Sequence, residues 1–367
     1  MEGTARRARL IAFYLPQFHP IPENDLWWGK GFTEWTNVAK AKPMFPGHYQ
    51  PHVPSDLGFY DLRVPEARQA QADLARRYGI EAFCYYHYWF AGRRLLERPF
   101  TEVLQSGKPD FPFCLCWANE TWTGIWHGAR NRILAEQTYP GDDDHRAHFA
   151  ALLPAFKDKR YVKVDGKPLF VIYHPHEIPD ARKALGLWRK LASEAGLDGL
   201  YILAASWSAD ADFSQIDCDG AILHPATHAL LREEWYPWSR SVEKIRTWTE
   251  VKLGLPTIRS YAQLLPRMLP SRMPNPETFP TVLPNWDNTP RSGVRGLVLR
   301  GSTPSLFRRH LEHALDLVGE LPAGRRLVFI KSWNEWAEGN HMEPDRKFGH
   351  GYLEVVRDVL GREAAGS

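Results

Sequence analysis

The sequence predicts a closed (β/α)8 barrel, and three observations carry that prediction. Eight short apolar runs recur along the 367 residues, helix-period segments lie between most of them, and no Gly/Ser-rich or charged linker divides the chain. The runs are Leu10–Leu15, Ala82–Tyr86, Phe113–Cys116, Leu169–Tyr173, Tyr201–Ala205, Ala221–Leu223, Thr281–Leu283 and Leu327–Ile330. Most are continuously hydrophobic, as strands buried on both faces must be, and that is the mark of a parallel sheet. Eight units in one chain of this length suit a closed barrel better than an open doubly wound sheet.

The first helix is expected over Pro65–Tyr78, because proline suits a helix start and Gly79 a helix stop. Asp142–Lys157 opens with three acids that complement the positive end of the helix dipole. Ala181–Ala195 stops at Gly196, and Ser239–Leu253, Ser305–Gly319 and Tyr352–Leu360 follow. Glu97–Gln105 and Phe213–Ile216 are short candidates for the remaining crossovers. The segment from Pro16 to Val64 is long, rich in Trp and Pro, and reads as an ordered loop over one side of the barrel mouth. One catalytic domain over 9–361 is expected, with a disordered N-terminal tail at 1–8 and a C-terminal tail at 362–367.

Composition excludes several classes of function. Lys+Arg 46 against Asp+Glu 43 leaves a net charge of +3 with no long basic run, which argues against nucleic acid as a partner. No segment approaches the length of a membrane span, and Leu10–Leu15 is too short for a signal-peptide core, so a cytoplasmic location is expected. Cys84, Cys114, Cys116 and Cys218 sit in apolar runs without zinc-site spacing and read as reduced core residues.

In such a barrel the residues just past each strand build the active site. Here they include Gln17 and His19; Tyr86, His87 and Trp89; Trp117, Asn119, Glu120 and Trp122; His174; Trp207; His224; Trp286, Asp287 and Arg291; and the run Lys331-Ser332-Trp333-Asn334-Glu335-Trp336-Ala337-Glu338-Gly339. Tyr14 ends the first strand, and Trp27, Trp28 and Trp35 come from the long loop. Of the 15 tryptophans, only Trp188 and Trp248 fall clearly in expected helices. Aromatic rings that cover sugar C–H faces, beside amides, imidazoles and acids that bind hydroxyls, suit a glycan. For any one tryptophan, loop packing is an equal explanation.

Glu335 and Glu338 are three apart, so on a helical turn they would be neighbours. Glycosidic cleavage commonly uses two carboxyl groups, and crowding would hold one of them protonated near neutrality. Asn119-Glu120 and Asn334-Glu335 offer a rival pairing across the mouth, and the residues alone rank the two equally. His174-x-His176 and His224-x-x-x-His228 have usable metal spacing, but hydrogen bonding is the commoner role and two-carboxylate chemistry needs no metal. No cofactor or metal is expected. His310 and His313, on a polar helix, read as solvated.

The segment Trp333–Gly339 resembles the Asn-Glu-Trp-x-Glu-Gly motif of glycoside hydrolase family 99, the endo-α-mannosidases. Ala12-Phe13-Tyr14-Leu15-Pro16-Gln17-Phe18-His19-Pro20, Trp27-Trp28-Gly29, Gly31-Phe32-Thr33-Glu34-Trp35, Trp117-Ala118-Asn119-Glu120 and Asp287-Asn288-Thr289-Pro290-Arg291 resemble WbsX-type proteins more closely. Those proteins are related to family 99, are often encoded with O-antigen or capsule genes, and are frequently labelled glycosyltransferases. The resemblance runs from about residue 9 to 355. It implies a (β/α)8 barrel acting on a bacterial glycan. It also implies Glu335 as the base that deprotonates the sugar 2-hydroxyl and Glu338 as general acid/base, through a 1,2-anhydro intermediate with retained configuration. Glu120 becomes a substrate-binding residue. Family 99 usually has Phe and His where this chain has Trp333 and Ala337, a difference that bears on substrate identity. The alternatives are a glycosyltransferase or transglycosylase, and a glycan-binding protein without catalysis.

Overall fold

A computed structural model describes residues 7–124, 129–208, 211–213, 215–225, 245, 248–250 and 252–361, with the side chains of 129–132 excepted. Eight parallel strands close into a barrel: β1 (Arg9–Tyr14), β2 (Ala82–Phe90), β3 (Phe113–Trp117), β4 (Lys167–Ile172), β5 (Tyr201–Ser206), β6 (Gly220–Leu223), β7 (Thr278–Val282) and β8 (Leu327–Ile330). Each pairs with its sequence neighbours, and closure comes from β1, which pairs with both β2 and β8. The expected (β/α)8 class is therefore what the chain adopts. The strands are buried almost throughout because helices cover the outside and side chains fill the inside. Cys84, Cys114 and Cys116 are buried free thiols, Cys84 and Cys114 lying in register on adjacent strands.

The crossover helices follow their local signals. Pro65–Arg77 begins with proline in its first turn and carries Arg76 and Arg77 at its carbonyl end. Asp142–Phe156 has three aspartates in its first turn, and Pro304–Val318 is capped by Thr303, whose hydroxyl accepts from Leu306 N. Arg98–Ser106, Ala181–Glu194 and Gly351–Gly361 also form close to their expected bounds. Most of Ser239–Leu253 lies outside the described residues, as do 1–6 and 362–367, and Ala8 is already buried. The described part of Phe213–Ile216 is not helical. Among the described residues no helix is long and apolar enough to cross a membrane.

Two departures shape the site. Before β7 the chain adds a strand, Thr257–Ser260, and a helix, Tyr261–Met268; the strand pairs in parallel with Leu297–Arg300. Tyr261, Leu264, Leu265, Met268, Leu283, Trp286, Leu297 and Leu299 form a second small core there, which anchors Trp286. His310, expected in solvent, faces this region and is buried, with Nδ1 3.4 Å from Tyr261 Oη. A polar helix sequence does not reveal a polar neighbour supplied by a distant insertion.

The long first loop is indeed ordered. It carries two short helices, Pro22–Trp28 and Glu34–Lys40. Backbone bonds from Glu34 N to Gln17 O and from Leu62 N to Phe18 O stitch it to the end of β1. Trp35 donates to Tyr60 O (2.7 Å) and packs on Trp336, with ring centroids 5.6 Å apart.

Candidate active site

The carboxyl ends of the strands surround a cavity of about 1080 Å³. Beyond β8 the chain forms a bridge, Asn334–Glu335 against Asn340–His341, and the 3-10 turn Trp336–Glu338. Gly339 ends that turn in the left-handed region, at φ 58°, and a Cβ there would lie 3.0 Å from Asp287 Cβ. Glycine meets both demands at once.

This turn sends Glu335 and Glu338 into the cavity together. Glu335 Oε2 accepts from Ser332 Oγ at 2.9 Å. Glu338 Oε1 accepts from Arg291 Nη1 at 2.6 Å, and Arg291 also pairs with Glu34, Nη2 to Oε2 at 3.0 Å. Burial, reinforced by the neighbouring Glu335 charge, raises the Glu338 pKa to about 7; Arg291 and Lys331 oppose the rise. Burial works against the Arg291 charge, but Glu34 and Glu338 outweigh it and its pKa is raised. Glu338 is thus a carboxylic acid that changes protonation near neutrality, beside a permanently charged donor.

Removing that donor has a signed consequence. Arg291→Met is expected to raise the Glu338 pKa further, because the opposing positive charge is gone. NMR titration of the labelled carboxyl carbon checks this, and a fall in the midpoint would contradict the arrangement.

Of the residues picked from sequence, Gln17, Trp27, Trp28, Tyr86, Glu120, Trp122, His174, Trp207, His224, Trp286 and Arg291 line the cavity with the two acids. Glu120 lies on an exposed rim, bonded to His174 Nε2 at 2.6 Å, and His174 stacks on Trp207.

The others sit behind the wall. Strand alternation explains β2: Tyr86 and Tyr88 face the cavity, while His87 and Trp89 turn to the helix layer and meet His148. Trp117 stacks on Trp188, and Asn119 holds both backbone groups of His174. Tyr14 donates to Gln71, and His19 Nδ1 is 2.8 Å from Pro16 O. Asp287 accepts from Gln50 Nε2 (2.8 Å) and Thr289 Oγ1 (2.6 Å), with His48 Nε2 at 2.6 Å. Asn334 clamps Leu15 N and O, and Trp35, Trp333 and Trp336 are buried. None of these eleven lines the cavity; in the structure they pack behind the residues that do. A strand end exposes only alternate side chains to the mouth, and the loops bury the rest.

Glu343 underlies that support. It accepts from Trp336 Nε1 (2.6 Å), Tyr60 Oη (2.8 Å) and Gln71 Nε2 (2.7 Å), and burial raises its pKa to about 7. Sequence reading missed Glu343, Glu34, Tyr88 and Tyr173 as site residues, and placed Lys331 in the run after the last strand without giving it a role. Glu34 was within reach, inside the segment Gly31–Trp35. Glu343 had no local signal, because its partners are 7 to 283 positions away.

Of the two metal spacings, the first is taken up by other contacts, His174 pairing with Glu120 and His176 stacking on Phe213; the second involves His228, which lies outside the described residues. Among the described residues, buried His52, His341 and Asp345 bring ligand atoms within 4.8 Å of one another. His52 Nδ1 and His341 Nε2 are 2.8 Å apart, and His341 Nδ1 is 2.9 Å from Glu343 O, so hydrogen bonds account for the imidazole pair.

A family model described as "Glycosyltransferase WbsX" matches residues 10–356. Over 366 residues the chain is 38% identical to the protein WxcX of Xanthomonas campestris pv. campestris, in both strain ATCC 33913 and strain B100. The match covers 97% of this chain and 50% of each relative, so the chain spans about half their length. Among solved structures, the GH99 endo-alpha-mannosidase from Bacteroides thetaiotaomicron is similar at 15% identity and TM-score 0.56, covering 96% of both chains. A structure described as a glycoside hydrolase-like protein is similar at 14% identity and TM-score 0.58, covering 98% of this chain and 95% of its own. These structural likenesses concern the fold.

Proposed function

The chain belongs to the WbsX glycosyltransferase family, and from that premise we propose that its barrel cleaves an α-glycosidic bond in a bacterial surface polysaccharide or oligosaccharide with retained configuration. The observation that carries this reading is the unequal carboxyl pair. Glu338, buried beside Glu335 and bonded to Arg291, holds its proton up to about pH 7, while Glu335 is tied to a neutral serine. Glu338 is thereby fitted to give up a proton, and in this reading its neighbour Glu335 takes the part of the base.

In the first step Glu335 takes the proton of the sugar 2-hydroxyl, and O2 attacks the anomeric carbon. The bond to the leaving oxygen breaks as Glu338 protonates that oxygen, giving a 1,2-anhydro sugar. In the second step Glu338, now a carboxylate, removes a proton from water as the water oxygen bonds to the anomeric carbon. O2 departs and recovers its proton from Glu335. Two inversions leave the configuration as it began. The aromatic walls, with Trp27 and Trp122 edge to face at 6.0 Å, would cover sugar faces, and Glu120 with His174 would bind hydroxyls at the rim.

The test is mass spectrometry of products from a panel of bacterial surface polysaccharides incubated in ¹⁸O water. Labelled reducing ends from the wild type, absent with Glu338→Gln, support hydrolysis. Transfer is the second reading, favoured by the family's description. There the acceptor hydroxyl replaces water in the second step, and unlabelled, lengthened products would identify it.

A further inference from the structure

One wall of the cavity carries buried nitrogen donors that meet no carboxylate among the described residues. Lys331, the first residue after β8, lines the cavity at 8% exposure. Its Nζ lies 3.5 Å from Tyr173 Oη, 5.7 Å from the Tyr173 ring centre and 5.8 Å from that of Trp286. Among the described residues no carboxylate comes within ion-pair distance of it, and Arg291, not Lys331, takes Glu34 and Glu338. Trp286 and His224 line the same cavity, 5% and 1% exposed. Trp286 Nε1 and both ring nitrogens of His224 have no hydrogen-bond partner among the described residues. The His224 and Tyr173 ring centres are 6.0 Å apart, which places this imidazole in the same group. Burial, with the Lys331 charge, keeps His224 neutral, so one of its nitrogens donates in either tautomer.

We propose that Lys331, Trp286 and His224 form a subsite for a sugar carboxylate, so that the glycan this barrel acts on contains a hexuronic acid or a similar acidic sugar. The inference rests on the glycan-cleaving reading above and names its substrate class. A neutral sugar hydroxyl both donates and accepts. A carboxylate only accepts, through two oxygens, and gains most from a desolvated wall that offers an ammonium and ring N–H groups. Burial works against the Lys331 ammonium, but the fields of Tyr173, Glu335 and Glu338 hold it charged; no carboxylate among the described residues touches it, and an acidic substrate would supply that direct contact. Lys331 shares the electrostatic field of Glu335 and Glu338, so the acidic sugar would sit next to the cleaved bond.

The test is calorimetric titration of the full chain with D-glucuronate, D-mannuronate and D-galacturonate against D-glucose, D-mannose and D-galactose. D-Glucose 6-phosphate serves as a second anion. At least one uronate is expected to bind tenfold or more tightly than its neutral counterpart. Lys331→Met should reduce that preference to within twofold, and Lys331→Arg should retain most of it. Circular dichroism confirms that each variant is folded. Equal binding of uronate and neutral hexose, a preference untouched by Lys331→Met, or tighter binding of the sugar phosphate would each overturn the proposal. The ¹⁸O experiment scores hydrolysis independently. A uronate preference without labelled products would fail only the hydrolase reading, and labelled products without the preference would fail only this one.

Discussion

Glu338→Gln is expected to lower kcat on a natural glycan by roughly 10²- to 10⁴-fold, the range supplied by a positioned general acid or base. The amide keeps the shape and can still meet Arg291 Nη1 through its oxygen, so sugar binding should persist and the loss should fall on kcat. The leaving oxygen of a natural linkage is a poor leaving group without a proton. An activated aryl glycoside should therefore lose much less. The pH profile supplies a second check. Since burial raises the Glu338 pKa to about 7, the acid form dominates below that value and is depleted above it. Wild-type kcat/KM should fall as pH rises through about 7, and residual activity in Glu338→Gln should lack that alkaline limb. A variant with near-normal turnover and an unchanged profile would remove Glu338 from the mechanism.

Glu343→Leu is expected to be the most destabilising single change at the site. It would leave Trp336 Nε1, Tyr60 Oη and Gln71 Nε2 without their acceptor, and each buried unpaired group costs about 1–3 kcal/mol. A loss of roughly 3 kcal/mol or more in urea unfolding is expected, with activity falling because Trp336 lies between Glu335 and Glu338 in the turn that aims both into the cavity. Glu343→Gln should cost less. If the Gln71 amide turns over, its oxygen accepts from the new amide while Tyr14 Oη accepts from its nitrogen.

The sign of the pH effect follows from the folded-state pKa of Glu343, which burial raises from the ordinary glutamate value to about 7. Its proton is favoured by folding, so this contribution is complete below the unfolded value and is lost as pH rises through about 7. The destabilisation by Glu343→Leu should therefore be largest in mild acid and shrink toward pH 8. A penalty below 1 kcal/mol, or one that grows with pH, would contradict the network.

What the sequence by itself determined is the part written in local patterns. Continuous apolar runs of strand length such as Leu327–Ile330, alternating with helix-period segments, made all eight barrel strands legible. So were Pro65, Asp142 and the glycines that bound the crossover helices, and the three-residue spacing of Glu335 and Glu338. Tertiary structure decided what depends on chain segments far apart in sequence. Which side of β2 faces the cavity was settled by the helix carrying His148, and Arg291 reached Glu338 because the small core around Tyr261 and Leu297 shapes the neighbouring turn. Lys331 stood in the expected site run, but its place as a donor for an acidic ligand depended on Glu34 and Glu338 pairing with Arg291 instead. The division has a physical cause. Strand and helix formation answer to neighbours a few residues away, whereas burial, charge pairing and the protonation of Glu338 are set by whatever the fold brings within a few ångströms.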